Sequence, residues 1–230
     1  MHQQFGERNA GPRQPGGLQR LGRHLTEQLV EGAFADPGQI TAEEDLAKRL
    51  VRLQAQPVKR VELSDVAMAE IEGRTGLSLA EGQMAALRLV AENPVVVITG
   101  GPGVGKTTLV RAIVELARRM GWRVILGAPT GRASRRLSEA TGLPAKTLHR
   151  ILEFDPGIGG FRKSNIETLD GDLFLIDEVS MVDLPLMDAM IKAIPLGSRV
   201  VFVGDVDQLP SVGPGAILSD LIESRTLPVG

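Results

Sequence analysis

From residue 95 onward, short runs of apolar residues recur with little polar interruption: Val95-Val96-Val97-Ile98, Val124-Ile125-Leu126, Leu173-Phe174-Leu175-Ile176 and Val200-Val201-Phe202-Val203. A strand with one wet face alternates apolar and polar residues, whereas continuous apolar runs suit strands buried on both faces of a parallel sheet. The pattern predicts strands at 95–99, 123–128, 173–176 and 199–203. Between them the apolar spacing turns helical, over 106–120, 131–141, 183–193 and 214–224, with a short helix at 146–152. Gly121 and Gly142 fall where C-terminal caps belong. The predicted fold class is α/β, a parallel sheet flanked by helices.

The first part of the chain reads differently. Residues 1–20 are rich in Gly, Pro, Gln and Arg and are expected to form a disordered tail. Leu21 to Phe34 has helical spacing, and Asp36-Pro37-Gly38 breaks it. Thr41-Ala42-Glu43-Glu44 reads as a capping box opening a helix to about Gln54, followed by a linker or short strand over Pro57 to Glu62. Ser64 to Gly73 reads as a short helix. A second capping box, Ser78-Leu79-Ala80-Glu81, opens a helix to about Glu92. The expected organisation is a tail at 1–20, a small helical N-terminal extension at 21–62, and one domain over 63–230.

The first of the apolar runs leads into the densest chemistry. Residues 100–108 read GGPGVGKTT and match G-x-x-x-x-G-K-[ST] between a strand and a helix. Glycines let successive N–H groups curl round phosphate oxygens, and the following helix points its positive end at the same anion. Gly101, Pro102, Gly103, Val104, Gly105, Lys106, Thr107 and Thr108 are therefore candidates for holding a nucleoside triphosphate, ATP with Mg²⁺. Lys106 can reach the β- and γ-phosphates, and the Thr107 hydroxyl can ligate the metal.

Composition narrows the setting. The chain is 43% hydrophobic and 23% charged, ordinary for a globular protein. No apolar run approaches the roughly eighteen residues of a membrane span, and the N-terminus lacks the apolar segment of a secretory signal. Cysteine is absent, which excludes disulfides and thiolate metal sites and suits the cytoplasm. The net charge of −2 conceals a division: Gly105 to Arg150 is +8, while Ile166 to Ile191 holds seven acids and no Lys or Arg. A basic block followed by an acidic one suggests a polyanion surface beside a metal site; solvated helix faces are the plainer alternative.

In an open parallel sheet, ligands lie beyond the carboxyl ends of the strands. All four predicted strands end there in reactive sequence: the phosphate loop, Ala128-Pro129-Thr130-Gly131-Arg132, Asp177-Glu178, and Gly204-Asp205-Val206-Asp207-Gln208. At the tip of LFLI, Asp177 can hold Mg²⁺ and Glu178 can act as general base toward the attacking water, unless the pair simply caps the next helix. Gln208 is a candidate for sensing the γ-phosphate, or a loop amide making turn hydrogen bonds.

Together with GAPTGRASRRLSEATG (127–142), AKTLHRIL (145–152), LFLIDEVSMVD (173–183) and VGDVDQLPSVGPGAIL (203–218), the phosphate loop resembles the first motor domain of RecD-like DNA helicases. These belong to superfamily 1, in the branch moving 5′ to 3′ on single strands. The resemblance runs from about Leu77 to the C-terminus. It implies a RecA-like P-loop fold and an ATP-driven motor in DNA repair or recombination, with single-stranded DNA as partner and other repair subunits as further partners. It matches Gln83 to the glutamine that reads adenine, and Pro129, Thr130, Gly131 and Arg132 to a motif gripping the DNA strand. Thr147 and His149 match a second strand-contacting segment, His149 being otherwise a packing histidine. Gln208, Pro210, Ser211 and Gly213 match the motif coupling ATP state to DNA. Arg132, Arg135, Arg136 and Lys146 are suited to neutralise phosphates. With six Phe, one Trp and no Tyr, base stacking is expected to be sparse; Phe154 and Phe161 are candidates for it or for hairpin packing.

The family's motor has a second RecA-like domain that supplies arginines to the transition state. No second series of apolar strands is present in these 230 residues, so the chain is expected to be part of a larger polypeptide. Two other readings share the fold: a ring-type P-loop ATPase acting on protein, and an ATP-gated DNA-binding or interaction module without catalysis.

Overall fold

The computed structural model describes residues 37–101, 103–205 and 217–230. The helix expected over Leu21–Phe34 lies outside these residues, as do Pro102, Gln208, Pro210, Ser211 and Gly213. Helices α1 (Pro37–Ala55), α2 (Asp65–Thr75) and α3 (Glu81–Glu92) precede strand β1 (Val95–Thr99) and helix α4 (Lys106–Met120). There follow β2 (Val124–Ala128), α5 (Gly131–Thr141), β3 (Ala145–Thr147) and α6 (Leu148–Ile151). A small hairpin, β4 (Phe154–Asp155) and β5 (Gly160–Phe161), leads to β6 (Leu173–Ile176) and a 3₁₀ turn at Val179–Met181. Helix α7 (Leu184–Ala193), β7 (Arg199–Gly204) and α8 (Ile217–Glu223) complete the order.

Five parallel strands form the central sheet in the order β1-β7-β6-β2-β3. Residues 228–230 pair with the free edge of β1: Val97 N donates to Pro228 O at 2.9 Å and Thr99 N to Gly230 O at 3.0 Å. Successive side chains of the inner strands go to opposite faces, and both faces are dry. Val95, Val97, Phe174, Ile176, Val200 and Phe202 pack against α1, α6, α7 and α8. Val96, Ile98, Leu173, Leu175, Val201 and Val203 pack against α2, α3, α4 and α5. This three-layer arrangement is the RecA-like fold, and it explains why the strand sequences are apolar throughout.

Helix α1 belongs to that core. Leu46, Leu50 and Leu53 are fully buried, a burial worth about 1.5–3 kcal/mol for each side chain. Gln54 Oε1 accepts the Val95 N–H at 3.0 Å, and Arg49 donates to Ile194 O at 3.1 Å.

Three boundaries differ from the sequence expectation. Helix α1 starts at Pro37, four residues before the Thr41 capping box, because proline's fixed φ and missing N–H cost nothing in a first helical turn. Helix α3 is capped at Ala80 rather than Ser78; Gln83, its third residue, accepts the Ala80 N–H at 3.0 Å. The segment expected as a helix from 146 begins instead as strand β3, with Leu126↔Ala145 and Ala128↔Thr147 in register. Pro144 and the extended cap residue Thr147 (ψ 150°) hold it open until α6 starts. Gly127 makes room for that helix: a Cβ there would lie 2.8 Å from Leu148 and 2.9 Å from Ile151.

Candidate nucleotide and nucleic-acid site

The phosphate loop joins β1 to α4. Gly103 and Gly105 both have φ 83°, a left-handed backbone that side chains resist, and a Cβ at Gly105 would run into the Gln83 amide. Gly105 gives α4 no side-chain cap, so the helix's first N–H groups are left for an anion. Lys106 folds back over its own loop. Its Nζ donates to Gly101 O at 2.9 Å and to Gly100 O, and lies 3.5 Å from the buried carboxylate of Asp205 at the tip of β7.

Asp177 leaves the tip of β6 still tied to the sheet, its N–H donating to Gly127 O at 2.9 Å. Its Oδ1 accepts the Glu178 N–H at 2.9 Å. Glu178 has φ 55°, a strained conformation for a residue with a side chain. Its carboxylate lies 3.8 Å from the Arg136 guanidinium on α5. Burial pushes the Asp177 carboxyl above its ordinary range, and the Glu178 charge adds to this; the Glu178 N–H, Arg136 and Lys106 oppose it. A carboxyl raised by burial is one that a divalent cation would return to its charged form.

Lys106, Thr107, Arg136, Asp177, Glu178 and Gly204 line one cavity of about 300 Å³. Among the described residues no cluster of three or more His, Cys, Asp or Glu could enclose a metal. A hydroxyl from Thr107 and one carboxylate from Asp177 instead suit Mg²⁺ held jointly with phosphate oxygens. On the other flank of the loop lies a second cavity of about 250 Å³, bordered by Gln83, Ile98, Val104 and Leu109. Gln83 Nε2 donates across it to Gly105 O at 3.2 Å.

The tips of β2 and β3 bring together the segments matched to strand contact. Pro129 and Thr130 follow β2; Thr130 caps α5 by accepting the Ala133 N–H at 3.2 Å, and Gly131 and Arg132 form the helix's first turn. Thr147, paired with Ala128, caps α6 by accepting the Arg150 N–H at 3.3 Å. His149 is exposed and meets the β4–β5 hairpin, its ring centroid 6.0 Å from Phe154 and 5.7 Å from Phe161. The two phenylalanines pack edge to face across the hairpin at 5.5 Å. Arg132, Arg135, Lys146 and Arg150 are exposed and make no ion pair with a described residue.

The acidic block does not act as one surface. Asp170 and Asp172 bind Arg123 at the sheet's opposite edge, Glu167 pairs with Lys163, Asp183 caps α7 and Asp188 pairs with Lys192. Only Asp177 and Glu178 among the seven line the cavity. Sequence reasoning named Asp205 only within a strand-tip segment and Arg136 only as a phosphate-neutralising cation, and missed their pairing with Lys106 and Glu178. Asp205 was legible as a strand-tip acid beside β1, whereas the Arg136–Glu178 pair joins residues far apart in the chain.

A family model described as AAA domain matches residues 83–214, more than half of the chain. The chain belongs to that family. Its relatives place it among RecD-like superfamily 1 motor domains. It is 42% identical over 194 residues to the ATP-dependent RecD2 DNA helicase of Deinococcus radiodurans, covering 84% of this chain and 27% of that protein. It is 40% identical over 167 residues to the RecBCD enzyme subunit RecD of Mycolicibacterium smegmatis, covering 62% and 30%. The crystal structure of Pif1 helicase from Candida albicans superposes with a TM-score of 0.47 at 26% identity, over 59% of this chain and 34% of that one. The chain thus spans under a third of the length of the two RecD relatives. Family membership implies use of a nucleotide, and no described helix is long and apolar enough to cross a membrane.

Proposed function

We propose that this chain is the ATP-binding motor domain of a RecD-like DNA helicase, coupling ATP hydrolysis to 5′–3′ movement along single-stranded DNA. The observation that carries the reading is one sheet edge with two chemistries. The tips of β1, β7 and β6 supply Lys106, Asp205, Asp177 and Glu178, while the tips of β2 and β3 supply Thr130, Arg132, Thr147 and exposed cations. The names of the relatives support the choice of DNA helicase over a ring ATPase acting on protein or a binding module without catalysis.

Mg²⁺ bound with the triphosphate would draw charge from the phosphate oxygens. Thr107 and Asp177 hold the ion; Lys106 exchanges its loop carbonyls for phosphate, bringing a positive charge to the group that leaves. Glu178 accepts the proton of the attacking water. Gln83, already against the loop, reads the adenine from the second cavity. Gln208 senses the terminal phosphate, and Ser211 with Pro129, Thr130, Gly131, Arg132, Thr147 and His149 contacts the strand.

The relatives' greater length supports a second RecA-like domain as partner, the name RecBCD enzyme subunit supports other repair subunits, and the reading places the protein in the cytoplasm. An arginine supplied from outside a site of this kind is worth roughly 10³–10⁵ in turnover. These 230 residues alone therefore bind Mg-ATP, hydrolyse it slowly and do not unwind DNA. ATP turnover measured with and without oligothymidylate tests this. Slow turnover raised by DNA and lost in Lys106→Ala supports the reading; turnover that is rapid, or untouched by Lys106→Ala, contradicts it.

A further inference from the structure

Helix α5 touches both chemistries of the sheet edge. Its first turn, Gly131-Arg132 behind the Thr130 cap, stands at the tip of β2. One turn further on, Arg136 shares the face of Arg132 and lines the cavity that holds Lys106, Asp177 and Glu178. Among the described residues, Arg136 is the only cation within ion-pair distance of Glu178, at 3.8 Å. The pair is lopsided: the Arg136 side chain is 63% exposed and free to swing, while that of Glu178 is 21% exposed on a strained backbone.

We infer that Arg136 is a positioning residue that holds the Glu178 carboxylate while the strand track is empty, and that it exchanges this carboxylate for a phosphate of single-stranded DNA when the track fills. The inference rests on the helicase-motor reading. Glu178 and the DNA phosphate compete for one guanidinium. DNA arriving over the first turn of α5 therefore frees the general base, and the general base in turn weakens the hold on DNA. The link is reciprocal, as any coupling between two binding events must be. It couples track and nucleotide cavity within one helix.

The competition has a signature in binding alone, independent of catalysis. Glu178→Gln removes the competitor's charge and releases Arg136 to the strand. Oligothymidylate affinity of the 230-residue chain is therefore expected to rise about two- to fivefold, the range open to a largely solvent-exposed ion pair. In an Arg136→Ala background the same Glu178→Gln change is expected to leave oligothymidylate affinity unchanged, and in Arg136→Lys the gain returns in part. Affinity for a fluorescent ATP analogue stays the same across the set, and thermal melting checks folding; both positions are polar and partly exposed. Single-turnover hydrolysis without DNA is expected to rise two- to fivefold in Arg136→Ala, with a smaller further gain on adding DNA. Equal tightening by Glu178→Gln with and without Arg136, or no tightening in either, overturns the inference while leaving the motor reading intact. A wild-type chain that binds oligothymidylate yet shows single-turnover hydrolysis untouched by it does the same. A wild-type chain that binds neither overturns both.

Discussion

The proposed nucleotide half and the proposed track half of the sheet edge are built on opposite principles. At the tips of β1, β7 and β6 each of the charges that line the cavity has a partner: Lys106 has Asp205 and two loop carbonyls, Glu178 has Arg136, and Asp177 has the next N–H. The backbone there turns left-handed at Gly103 and Gly105, as glycine allows, and at Glu178, where it is costly. At the tips of β2 and β3 the backbone is relaxed, with ordinary threonine caps, and Arg132, Arg135, Lys146 and Arg150 are exposed and make no ion pair with a described residue. A centre that must orient a reacting water benefits from groups fixed in advance. A track that must release its polymer at every step benefits from contacts that are individually weak and set by the salt around them. The difference lies in how charge is compensated, inside the protein on one side and, on the proposed track, by the DNA.

That contrast can be broken from either side. The largest effect is expected at the base: Glu178→Gln should lower single-turnover hydrolysis by about 10²–10⁴ while triphosphate binding persists, and an unchanged rate would remove Glu178 from its role. Next is Lys106→Ala. Loss of a charge-assisted contact worth about 1.5–3 kcal/mol should weaken triphosphate binding by about 10- to 100-fold, read by titration with a fluorescent analogue. On the track the individual effects are smaller and take another form. Arg132→Ala or Lys146→Ala should each reduce the slope of log affinity against log salt by about 0.7, uniformly across DNA sequences. A loss confined to one sequence would mean base reading instead. Thr130→Ala and Thr147→Ala remove helix caps and should each cost about 1 kcal/mol in urea unfolding, the smallest change of the series.

The two halves were not equally legible in the sequence. The phosphate loop and the apolar strand ending in Asp177-Glu178 could be read directly, because local backbone needs dictate glycine, lysine and carboxylate at fixed spacing. The parallel sheet was legible in its continuous apolar runs. Strand β3 was not, since three residues ending in a threonine cap carry no periodicity, and its extended form comes from pairing with β2. The start of α1 was displaced because Pro37 marks the first turn of that helix as readily as the end of another. Gln83 was read as a partner of adenine, but its cap on Ala80 and its reach to the phosphate loop come from the tertiary arrangement of α3 and α4. Asp205 against Lys106 and Arg136 against Glu178 each join residues tens of positions apart, brought together by strand order alone. What one sequence conceals here is chiefly which charges neutralise each other.

The most direct test of the two-halved edge is a crystal structure of the chain with a non-hydrolysable ATP analogue, Mg²⁺ and oligothymidylate. The account predicts triphosphate density against the Lys106 ammonium and the Asp177 carboxylate, with the DNA backbone crossing the tips of β2 and β3 beside Thr130, Arg132 and Thr147. A phosphate loop left empty at saturating analogue, or DNA bound on another face of the sheet, would contradict it.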